Sequence, residues 1–191
     1  MDKKNQFNDA VIVALGSNLP GDYPDAPALL EAALQTFPAH GLTVVARSGW
    51  WRSAAWPDPA MPAYTNGVVI VETGSGVAET LAALHAIEAD FGRVRQEANA
   101  PRTLDLDLIA HGRAVVGEGG VQVPHPRAHE RRFVMGPLAD VAPQWRHPVS
   151  GEAAEALASR ASVGADAYPI PSPACREKVA PKGSDEGSAS V

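Results

Sequence analysis

Cysteine is almost absent from this sequence: Cys175 is the only one among 191 residues, so no disulfide can form within the chain. Such usage is typical of a reducing compartment and predicts a cytoplasmic location. Long apolar runs are missing as well, because none approaches the roughly 20 residues that a membrane-spanning helix needs. The first residues are polar and lack the apolar region of a secretory signal, so we expect neither a membrane anchor nor export.

The sequence also lacks the motifs that bind phosphate through backbone groups. Neither G-x-x-x-x-G-K-[ST] nor G-x-G-x-x-G occurs, so any bound phosphate must be held by side chains. No serine lies in a G-x-S-x-G motif, which leaves covalent catalysis without support. His125 and His129 are four residues apart, but no third ligand follows at a suitable spacing, and a zinc site is therefore not predicted.

Positive charge is scarce and unevenly distributed. The net charge is −6, and the four lysines lie near the chain ends, whereas seven of the twelve arginines fall between residues 93 and 132. An acidic total argues against a general nucleic-acid coat. The planar guanidinium group of arginine suits phosphate, so the stretch predicts a small anionic ligand. The alternative is a solvated face of mixed charge.

Hydrophobic periodicity predicts one α+β domain over residues 10–163. Strands are predicted at 10–15, 42–52, 64–72 and 103–109, and amphipathic helices at 25–38 and 77–91. The resulting order, βαββαβ, is typical of the ferredoxin-like fold, in which helices cover one face of an antiparallel sheet.

Smaller features complete this prediction. Ser75 is the expected N-cap of the second helix, and residues 115–116 and 121–123 are expected to form a hairpin. Residues 1–9 are predicted to be a disordered N-terminus. Residues 164–191 contain no Leu, Phe, Met or Trp, so we predict a disordered and dispensable tail.

An Asp-x-Asp pair is the sharpest chemical signal. From Thr103 to Ile109 apolar and polar residues alternate, so three leucines point into the core while Asp105 and Asp107 share the opposite face. Neighbouring carboxylates repel each other unless a cation lies between them, and hard oxygen ligands select Mg²⁺ that carries phosphates. The alternative is an exposed strand face with solvated acids.

Aromatic and amide residues offer a second signal. Tyr64 and Phe133, taken alone, are typical of core packing. Asn66 is unusual because asparagine is depleted within strands, and its amide is able to pair with the polar edge of a heterocycle.

Six stretches, in this order and spacing, resemble the 6-hydroxymethyl-7,8-dihydropterin pyrophosphokinases of folate biosynthesis. They are ALGSN (14–18), WWRS (50–53), YTNGVV (64–69), FGRVR (91–95), APRTLDLDLI (100–109) and VPHPRAHERRFVMGPL (123–138). The resemblance covers about residues 10–160 and implies the same ferredoxin-like fold. It implies an enzyme that transfers the β,γ-pyrophosphoryl group of ATP to the hydroxymethyl oxygen of the dihydropterin and releases AMP.

The resemblance also implies roles for single residues on the ATP side of the site. Asp105 and Asp107 match the family's ligands for two Mg²⁺ ions, and Asp107 is also the candidate general base. Arg93 and Arg102 match arginines that stabilise the transferred group, with Arg93 on a loop that closes over ATP. The residues implied to bind ATP are Glu88, Arg93, Arg102 and His125.

On the pterin side, the resemblance implies that the aromatic rings of Tyr64 and Phe133 enclose the substrate. Asn66 matches the amide that reads the polar edge of the pterin, and Ser53 matches a small hydroxyl residue that lines the same pocket. The expected partners are therefore two small molecules, with no nucleic acid, no membrane and a monomeric chain.

The chain departs from the family pattern in three places that bear on the closing loop and on ATP binding. Asn99 stands where many members have a tryptophan that helps to close the loop. Pro126 stands where some have a tyrosine, and Gly120 lies in a hairpin where some have an arginine. The functional alternative is a noncatalytic ferredoxin-like module that binds RNA, which the missing pattern of spaced aromatics in a basic strand argues against.

Overall fold

The computed structural model describes residues 7–55, 60–92, 103–118 and 120–171. Six strands and four α-helices occur within these ranges. The strands are β1 (Val11–Ser17), β2 (Thr43–Arg47), β3 (Trp51–Ser53), β4 (Tyr64–Glu72), β5 (Asp105–His111) and β6 (Tyr168–Pro169). The helices are α1 (Ala26–Thr36), α2 (Val77–Asp90), α3 (Arg132–Val141) and α4 (Ala154–Arg160), and short 3-10 helices lie at Phe37–His40 and Ala128–Glu130. No helix within the described ranges is both long and apolar enough to cross a bilayer.

All strands belong to one sheet in the order β5-β1-β4-β3-β6, and β2 pairs with the remaining part of β4. Every pairing between them is antiparallel. β2 and β3 both pair with the same edge of β4 and together take the place of one predicted strand. With β2 and β3 counted as one, the four strands of the predicted βαββαβ unit lie in the ferredoxin-like order. The predicted fold class is therefore confirmed.

The predicted single strand over residues 42–52 is wrong, because the chain leaves the sheet between β2 and β3. A Cβ atom on Gly67 of β4 would lie 2.5 Å from the Trp50 ring, so the indole occupies the space above this glycine. The Ser48 hydroxyl accepts a hydrogen bond from the backbone N–H of Val68 at 3.0 Å in place of a regular ladder bond. The position at which the strand breaks thus depends on contacts that Ser48 and Trp50 make with β4.

One face of the sheet carries the first two helices. The apolar face of α1, including Leu29 and Leu30, packs with Leu84 and Ile87 of α2 against the inward side chains of β1, β4 and β5. Asp25 caps α1 by accepting a bond from the Ala28 N–H at 2.8 Å. The predicted Ser75 cap is wrong: Gly76 is the N-cap of α2 and makes no side-chain cap bond.

The other face carries α3 and α4, a layer that the one-sided prediction did not include. Val134, Met135 and Leu138 of α3 pack with Leu157 of α4 and with the second set of strand side chains. The Trp51 indole N–H donates to Asp140 at 2.7 Å and joins β3 to α3. The sheet is therefore covered on both faces.

The predicted termini also need correction. Two residues of the expected disordered N-terminus make defined contacts. Phe7 packs against the core on the α3 side of the sheet, and Asn8 accepts a hydrogen bond from the Arg146 N–H at 3.0 Å. The tail boundary at 164 is wrong, because β6 pairs with β3. Backbone hydrogen bonds hold this segment, so its lack of large apolar residues does not prevent its ordering. Residues 172–191 lie outside the described ranges.

Candidate functional site

Three neighbouring strands form the floor of a cavity on the α3 face of the sheet. Gly16 on the central strand β1 is in register with Asn66 of β4 on one side and with Asp105 of β5 on the other. Residues in register point to the same face, so the amide and the carboxylate stand on either side of a residue with no side chain. A Cβ on Gly16 would lie 3.3 Å from the Asn66 amide oxygen, and the glycine therefore keeps the floor open.

The cavity has a volume of about 660 Å³, which suits a small-molecule ligand. Polar and aromatic side chains from distant parts of the sequence meet in its walls. Those lining side chains are Ser53, Tyr64, Asn66, Asp105, Asp107, His125, Arg127, Glu130, Arg131 and Phe133. Seven of the ten residues predicted for the site therefore come together in one cavity.

The two carboxylates face the basic side of this cavity. The alternation predicted for β5 is confirmed: Leu104, Leu106 and Leu108 are buried in the α1–α2 core. Asp107 Oδ2 lies 3.6 Å from Arg131 Nη1 and 4.0 Å from His125 Nε2. Each of these side chains is partly exposed and remains accessible to a ligand that enters the cavity.

The surroundings of His125 disfavour a positive charge on its ring. Its Nδ1 accepts a bond from the Arg127 N–H at 3.2 Å, so the ring proton is on Nε2, which faces Asp107. Burial lowers the pKa of His125 below its ordinary value of 6.5; the Asp107 carboxylate opposes this shift, while Arg131 and Arg127 add to it. His125 can thus donate a hydrogen bond to an anion without carrying a full charge.

The amide of Asn66 is held in a fixed orientation. Its Nδ2 donates to the Ser53 hydroxyl at 3.0 Å, and both side chains are buried. β3 and β4 are paired here, with Trp51 opposite Asn66 and Ser53 opposite Tyr64. The strand pairing therefore brings the predicted pterin-side residues of β3 and β4 to one wall.

Phe133 forms the facing part of this wall, at the start of α3. The Arg131 guanidinium lies 5.7 Å from the centre of its ring, a distance that permits a cation–π contact. Arg131 therefore contacts the acidic side of the cavity through Asp107 and the aromatic side through Phe133. Neither Arg131 nor Arg127 was predicted as a site residue, although both lie in the arginine-rich stretch.

Glu88 lies in the last turn of α2, and its side chain is bonded to the backbone of β5. It is only 2% exposed, does not line the cavity, and its Oε1 accepts a bond from the Leu106 N–H at 2.8 Å. β5 is an edge strand, so this carboxylate satisfies a backbone donor that has no neighbouring strand. Glu88 thus supports the backbone between Asp105 and Asp107, and its contact with ATP stays a prediction.

Arg93 and Arg102 lie outside the described residues, as does Asn99. Pro126 and Gly120 are within them.

The predicted hairpin is present, because residues 116 and 123 form a bridge with backbone N–H···O distances of 2.8 and 2.9 Å.

The residues present fit a hard divalent cation. No group of three or more His, Cys, Asp or Glu side chains with metal-binding geometry occurs within the described ranges. Mg²⁺, however, keeps several waters and is usually bound through one or two carboxylates together with substrate phosphates. Asp105 and Asp107 on the cavity wall supply such a pair.

Comparison with known proteins adds independent findings. Residues 12–143 match the family model described as 7,8-dihydro-6-hydroxymethylpterin-pyrophosphokinase. The 2-amino-4-hydroxy-6-hydroxymethyldihydropteridine pyrophosphokinase of Synechocystis sp. is 41% identical over 74% of this chain and 70% of its own length. The Pseudomonas aeruginosa protein of the same name is 37% identical over 83% of this chain and 96% of its own length.

Solved structures agree in fold. The wild-type Plasmodium falciparum HPPK-DHPS structure superposes with a TM-score of 0.58 over 78% of this chain, at 11% identity. A second HPPK-DHPS structure, in complex with substrates, gives a TM-score of 0.60 at 10% identity. This chain spans less than half of either of those chains, 44% and 43% respectively.

Proposed function

Because this chain belongs to the 7,8-dihydro-6-hydroxymethylpterin-pyrophosphokinase family, it is a pyrophosphokinase of folate biosynthesis, and we propose that its cavity is where the reaction occurs. In this reaction the pyrophosphoryl group of ATP passes to the hydroxymethyl oxygen of 6-hydroxymethyl-7,8-dihydropterin. The observation that carries the proposal is the row of Asn66, Gly16 and Asp105 across the cavity floor. It separates a wall suited to a heterocycle from a wall suited to phosphates.

The pterin occupies the wall formed by β3, β4 and the start of α3. Tyr64 and Phe133 offer aromatic faces, which favour stacking with a flat ring. Asn66 presents an oriented amide to the polar edge of the pterin, and Ser53 holds that orientation. An amide that is already fixed loses little conformational entropy on binding, so it discriminates well between heterocycles.

ATP occupies the wall formed by β5 and the residues after it. Arg127, Arg131 and the Nε2–H of His125 offer donors to the phosphate oxygens. Arg93, Arg102 and Glu88 are further predicted contacts. Asp105 and Asp107 are the residues that would hold two Mg²⁺ ions, which on binding neutralise phosphate charge and align the reacting oxygens.

The chemical step is a displacement at phosphorus. The hydroxymethyl oxygen forms a bond to the β-phosphorus, the bond from that phosphorus to the oxygen bridging to the α-phosphorus breaks, and AMP leaves with that oxygen. The hydroxyl proton passes to a carboxylate, which we assign to Asp107. Arg131, which lies beside both Asp107 and Phe133, stabilises charge where the two substrates meet.

The wider setting follows from the same proposal. Both substrates are small molecules, and the residues of one chain line the walls that we assign to them. The reaction therefore needs neither a second subunit nor a nucleic acid. We place the enzyme in the cytoplasm, where ATP is available. The RNA-binding alternative is not favoured, because the matched family is one of pyrophosphokinases.

The test is AMP formation from ATP, Mg²⁺ and the hydroxymethyl dihydropterin, comparing Asp107→Asn with the exposed control Asp9→Asn. The Asp107 variant is expected to lose about a thousandfold or more in rate, because charge neutralisation and proton transfer both fail. Its free energy of unfolding should change by less than about 1 kcal/mol, since the ion pair with Arg131 is partly exposed. Equal rates in the two variants would refute the proposed role of this wall.

A further inference from the structure

The segment after α4 forms part of the cavity wall. Ser162, Val163 and Gly164 line the cavity beside Phe133. The Val163 N–H donates to the Glu130 carbonyl at 3.0 Å, and the Arg132 N–H donates to the Val163 carbonyl at 2.8 Å. This stretch is therefore bonded to the two residues that flank Arg131.

Gly164 makes the closest approach to the aromatic ring. A Cβ atom at this position would lie 2.5 Å from Cδ1 of Phe133 and 3.2 Å from Cε1. Real Cβ atoms essentially never lie that close to a neighbour, so any other residue at 164 requires either the ring or the backbone to move. The φ angle of Gly164 is +67°, in the left-handed region that glycine adopts without strain.

The backbone around Gly164 has little freedom to retreat. Before it, Val163 is held by both hydrogen bonds described above. After it, the Ala167 N–H donates to the Gly164 carbonyl at 2.9 Å, and Asp166 accepts a bond from the Ala54 N–H at 2.5 Å. A side chain at 164 would therefore displace the Phe133 ring before it displaced the chain.

We propose that Gly164 is a positioning residue for the dihydropterin: it leaves the space in which the Phe133 ring takes the place required for stacking on the substrate. The inference rests on the proposed function, because it assumes that Phe133 contacts the pterin. It adds that the specificity of the pterin wall depends on a residue that follows the last α-helix.

The experiment compares Gly164→Ala with Gly41→Ala, a control matched in backbone strain. Gly41 has a φ of +73°, and a Cβ there would meet nothing within 4 Å. Both variants should lower Tm, because both force alanine into the left-handed region, and Gly164→Ala should lower it further because its Cβ displaces the Phe133 ring. Only Gly164→Ala should raise the KM for the dihydropterin, by about two- to tenfold, the range that a lost aromatic stacking contact predicts. The KM for ATP should be the same in both.

Phe133→Ala and the Phe133→Ala/Gly164→Ala double variant complete a double-mutant cycle between these two residues. If Gly164 acts through the ring, adding Gly164→Ala to Phe133→Ala should raise the KM for the dihydropterin no further. If Phe133→Ala raises that KM while Gly164→Ala matches Gly41→Ala, the inference is overturned and the proposed function stands. If Phe133→Ala leaves the KM unchanged, the pterin role of Phe133 fails, and the inference fails with it.

A second pair of variants serves if alanine at 164 prevents folding. Among residues that carry a Cβ, asparagine tolerates the left-handed region better than alanine does. Gly164→Asn against Gly41→Asn should therefore show the same selective rise in the KM for the dihydropterin. An unchanged KM in folded Gly164→Asn would contradict the inference.

Discussion

The hydrogen bond between Asn66 and Ser53 makes a quantitative prediction about pterin affinity. Asn66 is 6% exposed and Ser53 is 4% exposed, so water cannot easily replace either partner. Asn66→Ala removes the amide that reads the pterin edge and leaves the Ser53 hydroxyl without its donor at 3.0 Å. A pterin edge that loses its buried polar partner costs about 1–3 kcal/mol in binding, which corresponds to a roughly 5- to 150-fold larger dissociation constant.

Ser53→Ala should have a smaller effect in the same direction. The amide of Asn66 remains, but it loses the acceptor that orients it, so we expect a loss of about 1 kcal/mol, or roughly fivefold in affinity. Because Ser53 acts through Asn66, the double variant should bind the pterin no more weakly than Asn66→Ala. Ser159→Ala is the matched control, since that hydroxyl is exposed and bonds only within α4.

Titration calorimetry with the dihydropterin and, separately, with an ATP analogue provides the measurement. ATP affinity should stay the same in all four variants, because the amide lies on the opposite side of Gly16 from Asp105. Additive losses in the double variant would show that Ser53 and Asn66 act independently. Unchanged pterin affinity in Asn66→Ala would refute the assignment of this wall.

Three further predictions concern stability. Removing residues 172–191 should leave Tm and turnover unchanged, whereas removing residues 164–191 should lower Tm and raise the KM for the dihydropterin, because β6 and part of the cavity wall are lost. Trp51→Phe should reduce the free energy of unfolding by at least about 1 kcal/mol in denaturant titrations, since the bond from the buried indole to Asp140 is lost together with part of the ring's packing; no change would show that this bond contributes nothing. Burial and, second to it, the charge of His129 lower the pKa of His147 below 6.5. As pH drops through about 6.5, His147 therefore gains a proton in the unfolded chain before it does so in the folded protein, and the free energy of unfolding falls. His147→Asn, whose amide oxygen is able to replace Nδ1 as an acceptor, should make that decline shallower, and an identical pH profile would contradict the reasoning.

Local patterns predicted the fold where the sheet is regular. The alternation in β5 correctly separated the leucine core from Asp105 and Asp107, because one face of that strand is buried and period two leaves no other arrangement. The break between β2 and β3 could not be predicted in this way. It depends on the contact between Trp50 and Gly67, which are 17 residues apart and meet only in the folded sheet.

In the candidate site, too, some residues could be predicted from the sequence and others depend on the folded structure. Family motifs brought Ser53, Asn66 and His125 into one predicted site, and all three line the cavity. They did not distinguish Arg131 from the other arginines of its stretch, because charge along the chain does not determine which guanidinium faces Asp107. Composition also failed for residues 164–171, since it counts apolar side chains, whereas backbone hydrogen bonds hold that segment.

The central position of β1 has a consequence for how this protein folds during synthesis. All seven residues of β1 are buried in the sheet, yet its partners follow far along the chain: Val11 pairs with Val71 and with His111. During translation the strand therefore emerges long before either neighbour exists, and both of its edges stay open to other chains. Such distant pairings also raise the contact order, which slows folding. We expect the nascent chain to be most prone to aggregation before β5 is complete, and a chaperone that covers β1 would protect it during that interval.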